Sequence, residues 1–229
     1  YNTFGALAHH FEAQPNDFFH QILPFTKTVK SDYAQSMQRI KKEREVKHQK
    51  YLDKIPFSDL KAFELVLSSL PKNSMLQLSN SSAIRYALLF EIDSSISVFC
   101  NRGTSGIDGS TSTAIGAAIG NPKQTTLITG DIGFLYDSNA LWNQYIPKNF
   151  KIILINNGGG GIFRILPGHQ ENKAFNTFFE TSHCLTAEHL AKMYGFDYTI
   201  ASTVDSLKKG LTSLFAQNSK PCILEVFTP

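Results

Sequence analysis

The stretch TGDIGFLYDSNALWNQYIPKNFKIILINNGGGG, residues 129–161, has an Asp directly after a Gly near one end and two Asn followed by four Gly at the other. TTLITG, which ends at Gly130, and KIILINN, which ends at Asn157, are short apolar runs, as in strands covered on both faces. FLYDSNALWNQY between them reads as a helix. Two strands joined through a helix lie parallel, with a right-handed crossover. Ligands of such sheets bind outside the carboxyl ends of the strands. Asp131 and Asn157 are 157 − 131 = 26 residues apart, one crossover, so both are expected at the same edge of the sheet.

The same rhythm extends outward in both directions. A helix is expected from Ser58, a plausible N-cap, through LKAFELVLSSL. MLQLS, SVFC, YTIAS and CILEVFT read as further strands; SSAIRYALLF, STSTAIGAAIG, TAEHLAKMYG and SLKKGLTSLFAQ read as helices. The expected fold class is α/β, a doubly wound parallel sheet over residues 55–229. Residues 1–54 read differently, as an aromatic and polar mixture followed by SMQRIKKEREVKHQKYLDK, a helix with basic residues from Arg39 to Lys50. Glu43 and Glu45 interrupt the positive charge, so a solvated face is expected, and Ile55-Pro56 breaks the pattern.

Composition narrows the function classes. With 42% hydrophobic and 18% charged residues, 229 residues can form one large domain, or one domain plus a piece of another. A net charge of +3 gives no general electrostatic case for nucleic acid. No apolar run approaches the roughly 20 residues of a membrane span. Cys100, Cys184 and Cys222 are odd in number and widely spaced, which fits a reducing cytoplasm better than a disulfide framework. His9-His10, His169 and His183-Cys184 lack metal-ligand spacing and are expected in ordinary surface or loop roles. Tyr136, Trp142 and Tyr145 fall at helical intervals and are expected to pack.

A carboxylate and an amide oxygen at one sheet edge form a hard, oxygen-only site. Such a site suits Mg²⁺ (or Mn²⁺), which takes its other ligands from phosphate and water. The Gly run after Asn157 allows close approach of a diphosphate, and Gly130 and Gly133 open the mouth of the following helix. Taken singly, each feature is an ordinary turn or cap. Their pairing across one crossover points to a phosphate ligand.

This stretch resembles the thiamin-diphosphate (ThDP) binding motif, which opens Gly-Asp-Gly and closes Asn-Asn. Here the opening reads Gly130-Asp131-Ile132. NRGTSGIDGSTSTAIG (101–116), SNSSAIR (79–85), GDIGFLYDSNAL (130–141) and INNGGGGIFRILP (155–167) together resemble the MenD family. That family comprises the 2-succinyl-5-enolpyruvyl-6-hydroxy-3-cyclohexene-1-carboxylate (SEPHCHC) synthases of menaquinone biosynthesis. The resemblance implies that Asp131, Asn157 and the Gly159 carbonyl hold the metal. It implies cofactor contacts at Ser105, Gly106, Ile107, Gly130, Asp131, Ile132, Gly133 and Asn157. Substrate contacts are implied at Ser81, Arg85, Arg102, Ile162 and Phe163. The implied substrates are 2-oxoglutarate and isochorismate, both dicarboxylates that Arg can grip.

The resemblance also implies a longer parent protein. Residues 1–54 would be the end of its central domain, and the activating Glu would lie in an N-terminal domain outside this sequence. The parent would be a homodimer or homotetramer with active sites between subunits, and the fragment alone would be inactive. Another ThDP-dependent carboligase or decarboxylase, and a non-catalytic phosphate-binding module, are the alternatives.

Overall fold

The computed structural model describes residues 2–165, 172–216 and 219–229. The chain divides into two compact units, Tyr1–Asp53 and Lys54–Pro229. In the first, α1 (Pro15–Ile22) begins with Pro, whose missing N–H costs nothing in a first helical turn. Helix α2 (Tyr33–Leu52) carries the basic segment with its charges in solvent, and Lys41 pairs with Glu45 one turn on at 3.3 Å. Leu52 is the only buried apolar side chain among the described residues of this unit.

The second unit is an all-parallel sheet in the order β2-β1-β3-β4-β6-β5. The strands are β1 (Met75–Leu78), β2 (Ser97–Cys100), β3 (Thr125–Gly130), β4 (Phe150–Asn156), β5 (Asp197–Ala201) and β6 (Cys222–Phe227). The helices are α3 (Asp59–Ser68), α4 (Ser82–Ala87), α5 (Ser110–Ile119), α6 (Asp131–Tyr136), α7 (Ile162–Ile165), α8 (Glu188–Tyr194) and α9 (Val204–Ala216). Every residue of β1 and β4 is buried, which is why both are mainly apolar in the sequence, with Gln77, Lys151 and Asn156 as buried polar exceptions. The edge strands β2 and β5 are partly exposed.

The side-chain alternation of β4 divides the core into two layers. Ile153 and Ile155 pack with Phe63 and Val66 of α3 and with Leu207, Leu211 and Leu214 of α9. Phe150, Ile152 and Leu154 pack with Ala114 and Ile115 of α5, Phe134 of α6 and Ala191 of α8. The i, i+4, i+7 spacing of the three α9 leucines places them on one helical face. Among the described residues no helix is long and apolar enough to cross a membrane.

One expectation requires correction. FLYDSNALWNQY is not a continuous helix: α6 ends at Tyr136 and a 3₁₀ turn follows at Ser138–Trp142. The buried Asp137 carboxylate accepts from the Ser112 backbone N–H (2.7 Å) and hydroxyl (3.0 Å), anchoring the break to the first turn of α5. Tyr136, Trp142 and Tyr145, expected to pack, are exposed among the described residues, Trp142 to 69%.

Candidate cofactor and metal site

The strand order fixes where a ligand can sit. From β1 the chain moves outward to β2, whereas from β3 it moves the opposite way to β4. Neighbouring connections that diverge leave a crevice at the carboxyl ends of the strands between them. A cleft of about 380 Å³ opens there, a volume in the small-molecule range. Its wall combines Ser79–Ala83 after β1, Ser105–Ile107 after β2, Gly130–Gly133 after β3 and residues 157 and 159–163 after β4.

Twelve residues expected from four separate stretches of the sequence line this cleft: Ser81, Ser105, Gly106, Ile107, Gly130, Asp131, Ile132, Gly133, Asn157, Gly159, Ile162 and Phe163. Arg85 and Arg102 are exposed and are not among the lining residues. Arg102 Nη1 donates to Asn80 Oδ1 at 2.9 Å, and Asn80 does line the cleft. Asn80 Nδ2 in turn donates to the carbonyls of Asn101 (2.8 Å) and Gly106 (2.6 Å), so one buried amide holds the 101–106 loop against the end of β1.

Asp131 is 4% exposed. Its Oδ2 accepts from the Gly159 N–H at 3.0 Å, and the Ile132 N–H lies 2.7 Å from its Oδ1. The nearest cationic candidate is His183, with Nε2 3.4 Å from Asp131 Oδ2. Burial pushes the Asp131 carboxyl above the ordinary Asp range, opposed by the Ile132 and Gly159 N–H groups and by His183. A buried carboxylate short of positive charge is suited to a cation. Asn157 Nδ2 donates to Asp59 Oδ2 at 2.9 Å, which leaves Oδ1 as the atom this amide can offer. The donor set is therefore hard oxygen, as Mg²⁺ prefers. Among the described residues no three His, Cys, Asp or Glu side chains form a metal cluster.

The glycines serve two different ends. At Gly106 and Gly130 an added Cβ would meet nothing within 4 Å, so the cleft floor is open there. Gly158 and Gly159 have φ of +76° and +154°, and a Cβ on Gly159 would lie 2.7 Å from the Glu180 carbonyl. The close approach at Gly159 and Gly160 is therefore to the chain's own 179–182 backbone. The Gly160 N–H also donates to the Glu180 carbonyl at 2.6 Å. Above it, Phe163 and Phe179 meet edge to face at 5.7 Å, and Arg164 Nη2 donates to Glu180 Oε2 at 2.7 Å. Backbone strain gathers at the same place: of the four non-glycine residues with positive φ among the described residues, Ser81, Ser105 and Thr181 line the cleft.

Several residues here carry no signal in the sequence. His183 is a loop residue, but its side chain is only 11% exposed and faces Asp131 rather than solvent. Asp59 is the first residue of α3 and looks like any helix start. Glu225, fully buried in β6, accepts from Asn156 Nδ2 (2.7 Å), the Ala187 N–H (3.0 Å), Thr186 Oγ1 (3.0 Å) and the Tyr198 hydroxyl. Asn156 Oδ1 then accepts from the Gly158 N–H at 3.1 Å, so this network fixes the turn that carries Asn157. Leu166, Pro167 and His169 lie outside the described residues.

Known proteins share this chain's sequence and fold. The model of the thiamine pyrophosphate enzyme C-terminal TPP binding domain matches residues 81–226. The chain is 66% identical over its whole length to a Flavobacterium johnsoniae protein named 2-succinyl-5-enolpyruvyl-6-hydroxy-3-cyclohexene-1-carboxylate synthase, covering 41% of it. It is 63% identical over its whole length to the Flavobacterium psychrophilum protein of the same name, covering 42%. The chain thus spans about two fifths of these curated relatives. In fold it is similar to the thiamine diphosphate-dependent 4-hydroxybenzoylformate decarboxylase of Rhodococcus jostii RHA1, with a TM-score of 0.60 at 23% identity over 76% of this chain and 33% of the other. Benzoylformate decarboxylase from Polynucleobacter necessarius gives 0.60 at 16% identity, over 76% of this chain and 34% of the other. By its strand-end cleft and by its sequence, the chain belongs to the thiamine pyrophosphate enzyme family, whose C-terminal TPP binding domain it carries from Ser81 to Val226.

Proposed function

We propose that this chain is the C-terminal part of a ThDP- and Mg²⁺-dependent synthase. The synthase decarboxylates 2-oxoglutarate and adds the succinyl unit to isochorismate, giving SEPHCHC and CO₂. The observation that carries the reading is the buried Asp131 carboxylate, joined to the Gly159 N–H across neighbouring strand ends and lining an open cleft. The names of the two Flavobacterium relatives support the choice of substrates.

In this reading Asp131, Asn157 Oδ1 and the Gly159 carbonyl hold Mg²⁺. Gly106 and Gly130 leave room for the diphosphate, while Ile107 supports the cofactor from its apolar side. Bound ThDP supplies the electron sink that takes up the electron pair released with CO₂. Ile162 and Phe163 form the apolar, water-excluding wall. Ser81, Arg85 and Arg102 orient carboxylates, Arg102 from the position that Asn80 gives it. Residues 1–54 are the end of a central domain. The activating Glu belongs to another part of the parent polypeptide, which works as a homodimer or homotetramer in the cytoplasm, and the 229 residues alone have no synthase activity.

Titration calorimetry with ThDP, with and without Mg²⁺, tests the reading, with ATP and NAD as controls. Magnesium-dependent ThDP binding by the full polypeptide is the expected result, together with SEPHCHC formation from 2-oxoglutarate and isochorismate. Preference for ATP or NAD would favour a non-catalytic phosphate-binding module. ThDP binding with turnover of a different 2-oxo acid would point to another carboligase.

A further inference from the structure

We infer that Asp59, held by Thr228, is a positioning residue for the metal-facing oxygen of Asn157. This inference rests on the ThDP·Mg²⁺ reading above and extends it to two residues with no part in the motif. A side-chain amide presents a donor on one side and an acceptor on the other, and rotation about its last bond exchanges them. For Asn157 the exchange decides whether the cleft receives a metal-binding oxygen or an NH₂ group that repels a cation.

Asp59 settles the orientation by charge. Its Oδ2 lies 2.9 Å from Asn157 Nδ2. With the amide reversed, Asn157 Oδ1 would face a carboxylate oxygen, an acceptor against an acceptor. The carboxylate thus selects the orientation with Nδ2 toward itself and Oδ1 on the other side. Asp59 is itself held in place, because the Thr228 hydroxyl donates to its other oxygen, Oδ1. Thr228 is fixed in turn, since its backbone N–H donates to the Asn156 carbonyl at 3.1 Å, extending the β4–β6 pairing past the end of β6. A closed path runs from the end of β4 through Thr228 and Asp59 back to the residue after β4. Asp59 and Asn157 both line the cleft. The negative charge behind the amide also makes its oxygen a better ligand, as carboxylates do behind metal-bound His.

Metal affinity tests this in the full polypeptide, using Mn²⁺ as a spectroscopic probe at saturating ThDP and following bound Mn²⁺ by electron paramagnetic resonance. Asp59→Ala is expected to weaken Mn²⁺ binding by about 10- to 100-fold, the usual effect of losing a residue that supports a metal ligand. Asp59→Asn can still accept from Asn157 with its own Oδ1 while its NH₂ faces the Thr228 hydroxyl, so it should recover most of the affinity. Thr228→Val should lose about three- to tenfold, the worth of one hydrogen bond. Circular dichroism and melting of the metal-free variants separate misfolding from misorientation. If Asp59→Ala folds and binds Mn²⁺ as wild type does, or if Asp59→Asn is as weak as Asp59→Ala, the positioning role is wrong. Should Asp59→Ala not fold, equal Mn²⁺ affinity in Thr228→Val and wild type overturns it. Wild-type protein with no metal-dependent ThDP binding would remove the parent reading, and this inference with it.

Discussion

The backbone N–H of Gly159 donates to the Asp131 carboxylate at 3.0 Å, so one hydrogen bond joins the turn after β4 to the turn after β3. The bond brings together the two ends of the motif, which lie a full crossover apart in sequence. It also holds a carboxylate in a buried position where its charge is unfavourable without a cation.

Asp131→Asn removes that charge and keeps the shape and one acceptor, while its NH₂ group must face either the Gly159 or the Ile132 N–H. Relief of the buried charge and loss of one accepted hydrogen bond, worth about 1 kcal/mol, oppose one another, so the metal-free variant is expected to melt close to wild type. Wild type should gain stability on addition of Mg²⁺ and ThDP, by about 2.7 kcal/mol at a hundredfold excess over Kd, and the variant should gain none. Thermal melts with and without both ligands check this, and equal gains in the two proteins would rule out Asp131 as a metal ligand.

Two Gly→Ala substitutions should separate folding from binding. At Gly159 the φ of +154° and the Glu180 carbonyl 2.7 Å from a new Cβ make Ala costly, by about 2–4 kcal/mol in urea unfolding. At Gly130 the backbone is extended (φ −86°, ψ 164°) and nothing lies within 4 Å of a new Cβ, so stability should hold within about 0.5 kcal/mol. The new methyl nevertheless stands at the cleft floor, and ThDP binding should fall about tenfold or more. Unchanged binding in Gly130→Ala would show that the diphosphate lies elsewhere.

Ser81 adopts φ 68° and ψ −131°, a conformation close to glycine's own, at the mouth of α4. Ser81→Gly should relieve about 1–2 kcal/mol of strain and raise the melting temperature. If the hydroxyl binds a substrate carboxylate, the same variant raises KM for 2-oxoglutarate or isochorismate without changing ThDP affinity. A stabilised variant with unaltered kinetics would remove Ser81 from the substrate site.

Tyr198 is pushed well above the ordinary Tyr range, first by burial and then by its hydrogen bond to Glu225. The sign follows from proton linkage: above about pH 10 the unfolded chain releases this proton while the folded chain keeps it. Stability from this group is full below about pH 10 and is lost as pH rises toward the folded value. Tyr198→Phe should cost about 1 kcal/mol near pH 8 through the lost hydrogen bond, yet decline less steeply above pH 10. Urea midpoints from pH 8 to 11 give the comparison, and parallel curves for the two proteins would refute the shift.

The central strands were legible because both of their faces are covered. Leu127 and Ile128 of β3 are fully buried on opposite sides of the sheet, and a run free of charged residues, with Thr125, Thr126 and Thr129 buried beside them, satisfies that. The break after Tyr136 was not legible. Nothing local to DSNALW shows that Asp137 will be drawn to Ser112, 25 residues earlier in the chain. Trp142 was misread for a related reason, since helical spacing says which face a residue shares but not whether anything covers that face.

By itself the sequence determined the strand–helix alternation, the parallel sheet and the placing of Asp131 and Asn157 at strand ends. These follow from periodicity and chain length, which are local. Only the tertiary structure decided how those groups are held: Asp59 behind Asn157, His183 beside Asp131, and Glu225 beneath the Asn156 turn. Each of these contacts joins residues 50 or more positions apart, between groups that no local pattern links, and only the completed sheet brings them within hydrogen-bonding or ion-pairing distance.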